Sequence, residues 1–421
     1  MALFYNVFFK IDEGFFMKSN LISPFKPKSV KEYKPQDLTI YTLRAGFKKK
    51  GKDLLVIVFD KAVPVADAYS QTSMPSAPII WDKKNNNGFC KVLIVNSGNA
   101  NAHTGTRGIS QIEKYAKAAS KIFQCKKSEI LVSSTGVIGE EIDSAKIIKK
   151  LNCISKSSLK SVKDAAKAIM TTDTFSKVEV VKFRYKSKQI IIYGFAKGSG
   201  MIAPNMGTML AYIFIEAPLQ KKDLKKILMK HIDSTFNSIS VDGDTSTSDT
   251  IMLFSTGLKK PKITMNNNLL KKISARVNDI MLGLSKQIVS DGEGISKLIE
   301  VTVSNAKNKI QASNVAFSIA ESTLVKTAIA GEDANWGRVI MAIGKADKHI
   351  DQDKTIIKFG NLVVAKKGTR YKKIDLRKLN HYMKNKIVKI NVNLGIGKYT
   401  KRVWSSDLTH RYININADYR S

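Results

Sequence analysis

One threonine in this chain stands where its hydroxyl could act as a nucleophile. From Lys197 to Leu210 the sequence reads Lys-Gly-Ser-Gly-Met-Ile-Ala-Pro-Asn-Met-Gly-Thr-Met-Leu. Its glycines, proline and asparagine give an irregular loop, and the apolar run Met209 to Ile215 that follows predicts a buried strand. Thr208 therefore stands at the mouth of a strand, behind Gly207, whose missing side chain opens backbone angles closed to other residues. A strained peptide bond held there is open to attack by the Thr208 hydroxyl on the Gly207 carbonyl carbon. The amide becomes an ester, and hydrolysis of the ester leaves Thr208 as a new N-terminus. A free α-amine titrates at about 7.7 to 8.0, so part of it is neutral near pH 7 and can take the hydroxyl proton. A Thr after a Gly-rich loop is usually just a turn that feeds a strand, so spacing alone does not justify the nucleophile reading.

The elements that must position this threonine alternate between short β-like runs and helical patterns, which predicts an α/β or α+β protein. Leu54 to Phe59, Val92 to Val95 and Ile130 to Val132 read as buried strands, and Lys177 to Phe183 with Gln189 to Phe195 as a hairpin. Helical patterns cover Ser161 to Met170, Leu219 to Phe236 and, most clearly, Leu269 to Val289. In that last stretch Leu269, Ile273, Val277, Ile280, Met281, Leu284 and Ile288 share one face and predict core packing. Later strands are expected at Leu298 to Val303, Ile356 to Phe359 and Ile387 to Leu394. No repeat and no Pro-rich or Gly/Ser-rich linker marks a domain boundary. The discontinuity is chemical: a break before Thr208 would divide the chain into residues 1–207 and 208–421.

Other patterns carry less. Asp242, Asp244 and Asp249 look like metal ligands, but a turn capped by its own carboxylates fits better. Gly395-Ile-Gly-Lys398 lacks the glycine that a phosphate loop needs five residues before Gly397, because Val392 stands there. Trp336 and Arg338 read as packing and turn anchors, and Asn96 to Asn101 as a structural turn. His103, His231, His349, His381 and His410 are scattered without a helical ligand pair, and Cys90, Cys125 and Cys153 offer neither a disulfide framework nor a zinc pair. No metal is expected.

The net charge of +35 invites a nucleic-acid or anionic-membrane reading. Its construction argues for a solvated surface: ten arginines stand against sixty lysines, which are spread along the whole chain in pairs and triplets. No block of five like charges and no arginine-aromatic stripe appears. With 43% hydrophobic and 25% charged residues the chain reads as soluble and globular. No apolar run is long enough to span a membrane, and Lys10, Asp12 and Glu13 break the Phe-rich start that a secretory signal would keep unbroken. A reducing cytoplasm is expected, with neither nucleic acid nor membrane as partner.

Several longer blocks carry a resemblance. They are Val95-Asn-Ser-Gly-Asn-Ala-Asn-Ala102, Ser134-Thr-Gly-Val-Ile-Gly139, Met170-Thr-Thr-Asp-Thr174, the Lys197 to Leu210 segment, Val241-Asp-Gly-Asp-Thr-Ser-Thr247, Asp291-Gly-Glu-Gly294, Asn335-Trp-Gly-Arg338 and Ile415-Asn-Ala-Asp-Tyr-Arg-Ser421. With them the chain, from about Ile22 to Ser421, resembles the ornithine acetyltransferases, the bifunctional glutamate N-acetyltransferases of arginine biosynthesis. The resemblance implies a layered αββα sandwich of the self-cleaving N-terminal-nucleophile type. It also implies cleavage between Gly207 and Thr208 into α and β chains that stay together, in a heterotetramer of two of each. Thr208 would be the nucleophile, and Thr135 and Gly136 the oxyanion-hole pair. Thr171, Lys197, Thr208, Glu293, Asn416 and Ser421 match the substrate-binding positions, the first to within one residue because Thr172 is adjacent.

The implied reaction moves acetyl from N-acetylornithine to glutamate in two half-reactions and needs no cofactor. Acetyl-CoA as a further donor, which would make the enzyme bifunctional, is left open. Position 207 is Gly where the family more often has Ala, Met1 to Phe16 lies outside the resemblance, and Met17 is an alternative start. Two other readings stand beside this one. A self-cleaving aminopeptidase would use the same nucleophile with water as acceptor, and a basic nucleic-acid-binding protein would show steeply salt-dependent binding.

Overall fold

The computed structural model describes residues 22–154, 160–203, 209–257 and 264–417. The first part of the chain runs β1 (Leu38–Leu43), β2 (Leu54–Tyr69), α1 (Ala77–Asn85), β3 (Phe89–Asn99), α2 (Gly105–Ile122), β4 (Ile130–Val137), α3 (Ser144–Asn152) and α4 (Val162–Ala168). It continues with β5 (Lys177–Tyr185), β6 (Lys188–Lys197), β7 (Leu210–Ile215), α5 (Lys221–His231), β8 (Ile239–Ser240), β9 (Thr250–Ser255) and α6 (Asn267–Val289).

The strands form an eight-stranded sheet in the order β4-β3-β2-β9-β7-β6-β5, with β1 on β2. Strand β2 is the bend in this sheet: Leu54 to Val58 pair with β1 and β3, whereas Val65 to Tyr69 pair with β9. The two halves close on one core, where the rings of Phe59 and Phe254 lie 5.2 Å apart and those of Phe214 and Phe254 5.0 Å apart.

Side chains alternate across each strand, so neighbours in sequence enter different cores. In β7, Leu210, Tyr212 and Phe214 point into the aromatic core, while Ala211, Ile213 and Ile215 pack under α5 and α6. In β2, Leu55, Ile57 and Phe59 face the aromatic core, and Leu54 and Val56 meet α1, α2 and α3 through Trp81, Ile112, Tyr115 and Ile147. Strands buried on both faces explain the continuous apolar runs of the sequence. The layers are helix, sheet, sheet, helix, the αββα sandwich expected.

The second part runs β10 (Leu298–Ala306), α7 (Lys309–Ala320), α8 (Thr323–Ala330), α9 (Trp336–Ala346), β11 (Ile356–Phe359), β12 (Leu362–Lys366), β13 (Thr369–Arg370), α10 (Leu376–Met383), β14 (Ile387–Asn393), β15 (Tyr399–Ser406) and α11 (His410–Ala417). Its seven-stranded sheet has the order β13-β12-β11-β14-β10-β15-β8. Val301, Val303, Ile390, Val392 and Val403 form one core with Val315, Ile319, Ile329, Val339 and Leu379 of the helices. Trp404 of β15 joins the α6 core instead and ties the two parts together.

Two expectations are corrected. The helix expected from Leu219 to Phe236 stops at His231 and continues as short 3-10 turns. The Ser234 and Thr235 hydroxyls donate to the His231 carbonyl at 3.2 and 2.7 Å, offering the backbone an alternative to the next helical turn. The turn expected over Asn96 to Asn101 is strand as far as Asn99, because pairing with β4 continues to the end of β3. The Asn96 amide donates to the Asn99 carbonyl at 2.7 Å and the Asn99 amide to the Glu140 carbonyl at 3.0 Å, which satisfies polar side chains that strands otherwise disfavour. No helix among the described residues is long and apolar enough to cross a membrane.

Candidate active site

Thr135, Gly136, Thr171, Lys197, Glu293 and Asn416, which lie far apart in sequence, all line one cavity of about 250 Å³. Gly207, Thr208 and Ser421 fall outside the described residues. The same wall includes Thr172, the alternative to Thr171, and Met201 and Ser246 to Ser248, which were not singled out as site residues. Thr172, Met201, Ser246 and Thr247 lay inside the resembling blocks and Ser248 directly after one, but small hydroxyl side chains in a turn look like ordinary turn chemistry. Among the described residues no group of three or more His, Cys, Asp or Glu side chains could hold a metal ion.

Thr135 and Gly136 sit near the end of β4, where the parallel ladder with β3 changes register beside Gly98 and Asn99. Gly136 has φ 132°, and a Cβ there would lie 2.3 Å from the Gly98 carbonyl carbon and 2.6 Å from the Asn99 nitrogen. Both the left-handed angle and the close approach demand glycine.

Lys197 ends β6, opposite Leu210 at the start of β7. Its ammonium donates to the Thr135 hydroxyl oxygen at 3.2 Å, and both residues are buried. Burial pushes the Lys197 ammonium below the usual lysine range and Lys177 adds to this, while Asp173, Glu293 and Asp249 pull the other way.

A buried ion-pair chain fixes two of the lining loops. Lys177 on β5 donates to Asp173 and to Asp291 at 2.6 Å each, and all three side chains are fully buried. Asp173 also accepts the backbone N–H of Gly198 at 2.7 Å and of Thr171 at 3.0 Å. Burial works against its charge, but Lys177, Lys197 and the Gly198 N–H outweigh that and hold the carboxyl well below the usual carboxylate range. Asp291 accepts the Thr174 N–H at 2.9 Å and is bonded by the Thr174 hydroxyl. One lysine thus locks the Thr171 loop to the Glu293 loop.

Glu293 stands two residues after Asp291, its N–H donating to the Ser199 carbonyl at 3.1 Å. Its carboxylate lies so close to Gly200 that a Cβ there would approach it to 2.5 Å. Asn416 on α11 donates to Glu293 Oε2 at 2.9 Å, bringing the last helix to the cavity.

Two aspartates bracket the segment that contains Gly207 and Thr208. Asp242 accepts the N–H groups of Met201 and Ile202 at 2.6 and 2.9 Å, and Asp249 accepts that of Met209 at 2.8 Å. Asp242 also takes the Asp244 N–H at 3.3 Å, so the expected capped turn exists, but its main grip is on the neighbouring loop.

The ArgJ family model matches residues 39–421. The chain is 43% identical to the arginine biosynthesis bifunctional protein ArgJ of Bradyrhizobium diazoefficiens, over 96% of this chain and 100% of that one. It is 42% identical to the protein of the same name from Brucella suis, over 95% and 99%. A crystal structure of ArgJ from Bacillus halodurans is 39% identical, with a TM-score of 0.47, covering 50% of this chain and 100% of that one. A match over most of the chain, in sequence that includes every lining residue of the cavity, establishes that this protein belongs to the ArgJ family.

Proposed function

We propose that this protein is an acyltransferase of arginine biosynthesis that cleaves itself before Thr208 and then transfers acetyl from N-acetylornithine to glutamate. The observation that carries this reading is the meeting of Thr135, Gly136, Thr171, Lys197, Glu293 and Asn416 around one cavity. The fixed ends of the neighbouring segment, at Ile202 and Met209, add to it.

In self-cleavage the Thr208 oxygen bonds to the Gly207 carbonyl carbon, the amide C–N bond breaks and the nitrogen takes the hydroxyl proton. Water then hydrolyses the ester, leaving a Gly207 carboxylate, a free hydroxyl and an α-amine. In the first half-reaction the Thr208 hydroxyl attacks the acetyl carbonyl, its proton passes to the α-amine and on to the leaving nitrogen, and ornithine departs. In the second, the glutamate amine attacks the acetyl ester and restores the hydroxyl.

Thr135 and the Gly136 N–H serve as the oxyanion donors, a role in which each donor is commonly worth about 2.7 to 4 kcal/mol. The Lys197 ammonium, by its contact with Thr135, adds positive potential where negative charge develops. Glu293 suits the cationic end of ornithine, and Thr171, Asn416 and Ser421 offer neutral hydrogen bonds to either substrate. The chemistry needs no cofactor, acetyl-CoA is a candidate second donor, and the assembly is two α with two β chains in the cytoplasm.

The test is a denaturing gel with mass analysis of fresh protein, followed by incubation with N-acetylornithine with and without glutamate. Two fragments meeting at Gly207 and Thr208, and acetylglutamate formed only when glutamate is present, are expected. An intact chain that transfers acetyl at full rate, or acetate released in place of acetylglutamate, would overturn the reading.

A further inference from the structure

We propose that Lys48 is a positioning residue for acetyl transfer: its ammonium clamps the Met170 carbonyl, and with it the adjoining Thr171, to the crossing of Gly98 and Gly136. The inference rests on the acetyltransferase reading above and adds to it a residue outside the cavity wall that sets where Thr171 stands.

One carboxylate shapes the loop that carries Lys48. Asp53, fully buried just before β2, accepts the backbone N–H groups of Ala45, Gly46, Phe47 and Lys48 at 2.5 to 3.1 Å. Four consecutive donors converge on one group when the chain curls round it, and Gly46 with φ 94° supplies the bend. Asp53 is itself tied on both sides. Its N–H donates to the Leu43 carbonyl at 3.0 Å, and its carbonyl accepts the Ser97 N–H at 2.9 Å. Lysine is a long and flexible side chain, and this fixed root is what aims it.

The loop lies directly on the glycine crossing. A Cβ on Gly98, whose φ is 106°, would stand 2.6 Å from the Phe47 carbonyl oxygen and 2.9 Å from Lys48 Cγ. Gly98 is also the residue against which Gly136 is pressed. Lys48 therefore packs its stem on the meeting of β3 and β4, and from there its Nζ donates to the Met170 carbonyl at 3.1 Å. The neighbouring Ser97 Oγ donates to the Ala168 carbonyl at 2.7 Å. Carbonyls at and just beyond a helix end, here that of α4, lack intrahelical donors. Lys48 and Ser97 supply them, and so hold the segment that leads into Thr171. Asp173 holds Thr171 from the other side, through its N–H at 3.0 Å.

Packing alone would not call for an ammonium. Burial lowers the Lys48 pKa below the usual lysine range, Asp53 and Asp173 oppose the fall, and Lys197 adds to it. The charge is retained against that desolvation and directed at a carbonyl one residue before the cavity wall.

The test compares Lys48→Met and Lys48→Arg with wild type in the full chain, by steady-state acetyl transfer. Methionine keeps the stem on Gly98 and removes the donor; arginine restores donor and charge. Lys48→Met is expected to raise KM for both N-acetylornithine and glutamate about 10-fold, with kcat changed less than about 3-fold. Lys48→Arg is expected to bring both KM values back to within about 3-fold of wild type. If Lys48→Met does not fold, Lys48→Gln, whose shorter amide leaves the carbonyl unmet while suiting a half-exposed loop, is read in its place. KM values within about 2-fold of wild type, a loss confined to kcat, or an equal loss in Lys48→Arg would overturn the proposal. Failure of the parent reading is a separate result, seen as wild-type protein that forms no acetylglutamate from N-acetylornithine and glutamate.

Discussion

The side-chain nitrogen of Lys197 stands 3.2 Å from the hydroxyl of Thr135 on the cavity wall, and both residues are buried. The lysine nitrogen and the hydroxyl proposed to receive the oxyanion are thereby coupled in a setting where electrostatic interactions are strong. Replacing Thr135 by Val, which keeps the shape and removes the donor, is expected to lower kcat by about 100- to 1,000-fold with KM little altered. Lys197→Met is expected to lower kcat in the same direction, and steady-state acetyl transfer measures both.

Gly136 offers a second check on the same hole. Gly136→Ala would place a methyl 2.3 Å from the Gly98 carbonyl carbon on a backbone with φ 132°, so β3 and β4 must move apart there. A loss of activity of at least the Thr135→Val size is expected, together with a lower Tm in calorimetry.

Lys177 should matter to stability. Lys177→Met leaves Asp173 and Asp291 buried without their shared cation, and breaking a buried pair in this way costs about 3 to 5 kcal/mol. Urea unfolding at pH 7 measures the loss.

Lys326 gives a pH signature. Buried on α8, it donates to the Val241 carbonyl, and burial lowers its pKa to about 8 from the usual 10.5. Between those values the unfolded chain holds a proton that the folded chain has released, so this group makes stability rise with pH from about 8 to 10.5. The rise is about 3 kcal/mol at most. Lys326→Met is expected to lack it, and unfolding curves of the two proteins at pH 7.5 to 10 read the difference.

Glu293 and Asn416 should govern substrate affinity. Their carboxylate–amide contact at 2.9 Å orients Glu293, so Glu293→Gln is expected to raise KM for N-acetylornithine about 10-fold or more, and Asn416→Ala somewhat less. KM for glutamate in the second half-reaction should change less under Glu293→Gln.

Much of this was legible in the residues. The apolar stripe of α6 follows from helical periodicity and the continuous apolar runs of β6 and β7 from burial on both faces, because burial dictates which positions are apolar. The six lining positions came from motif resemblance, since only a fold brings Thr135 and Asn416 together. What stayed hidden is long-range and polar. Lys177 looked like one surface lysine among sixty, and nothing local marks it as fully buried between Asp173 and Asp291. Asp242 and Asp249 read as turn aspartates because their partners, Met201, Ile202 and Met209, lie about 40 residues away. The end of α5 was missed because Ser234 and Thr235 act through a hydroxyl bond that an apolar pattern does not record.

Strand β6 lies before Thr208 in sequence, and β7 and β9 lie after it, yet the three are adjacent in one sheet, with Lys197 opposite Leu210 and Ile192 opposite Ile215. A polypeptide ending at residue 207 would present β6 as a bare, greasy edge, and one starting at 208 would carry β7 with nothing on that flank. Neither piece owns a finished interior. Made from separate messages, the two would have to meet while still folding, and a fragment synthesised alone should collect in the insoluble fraction.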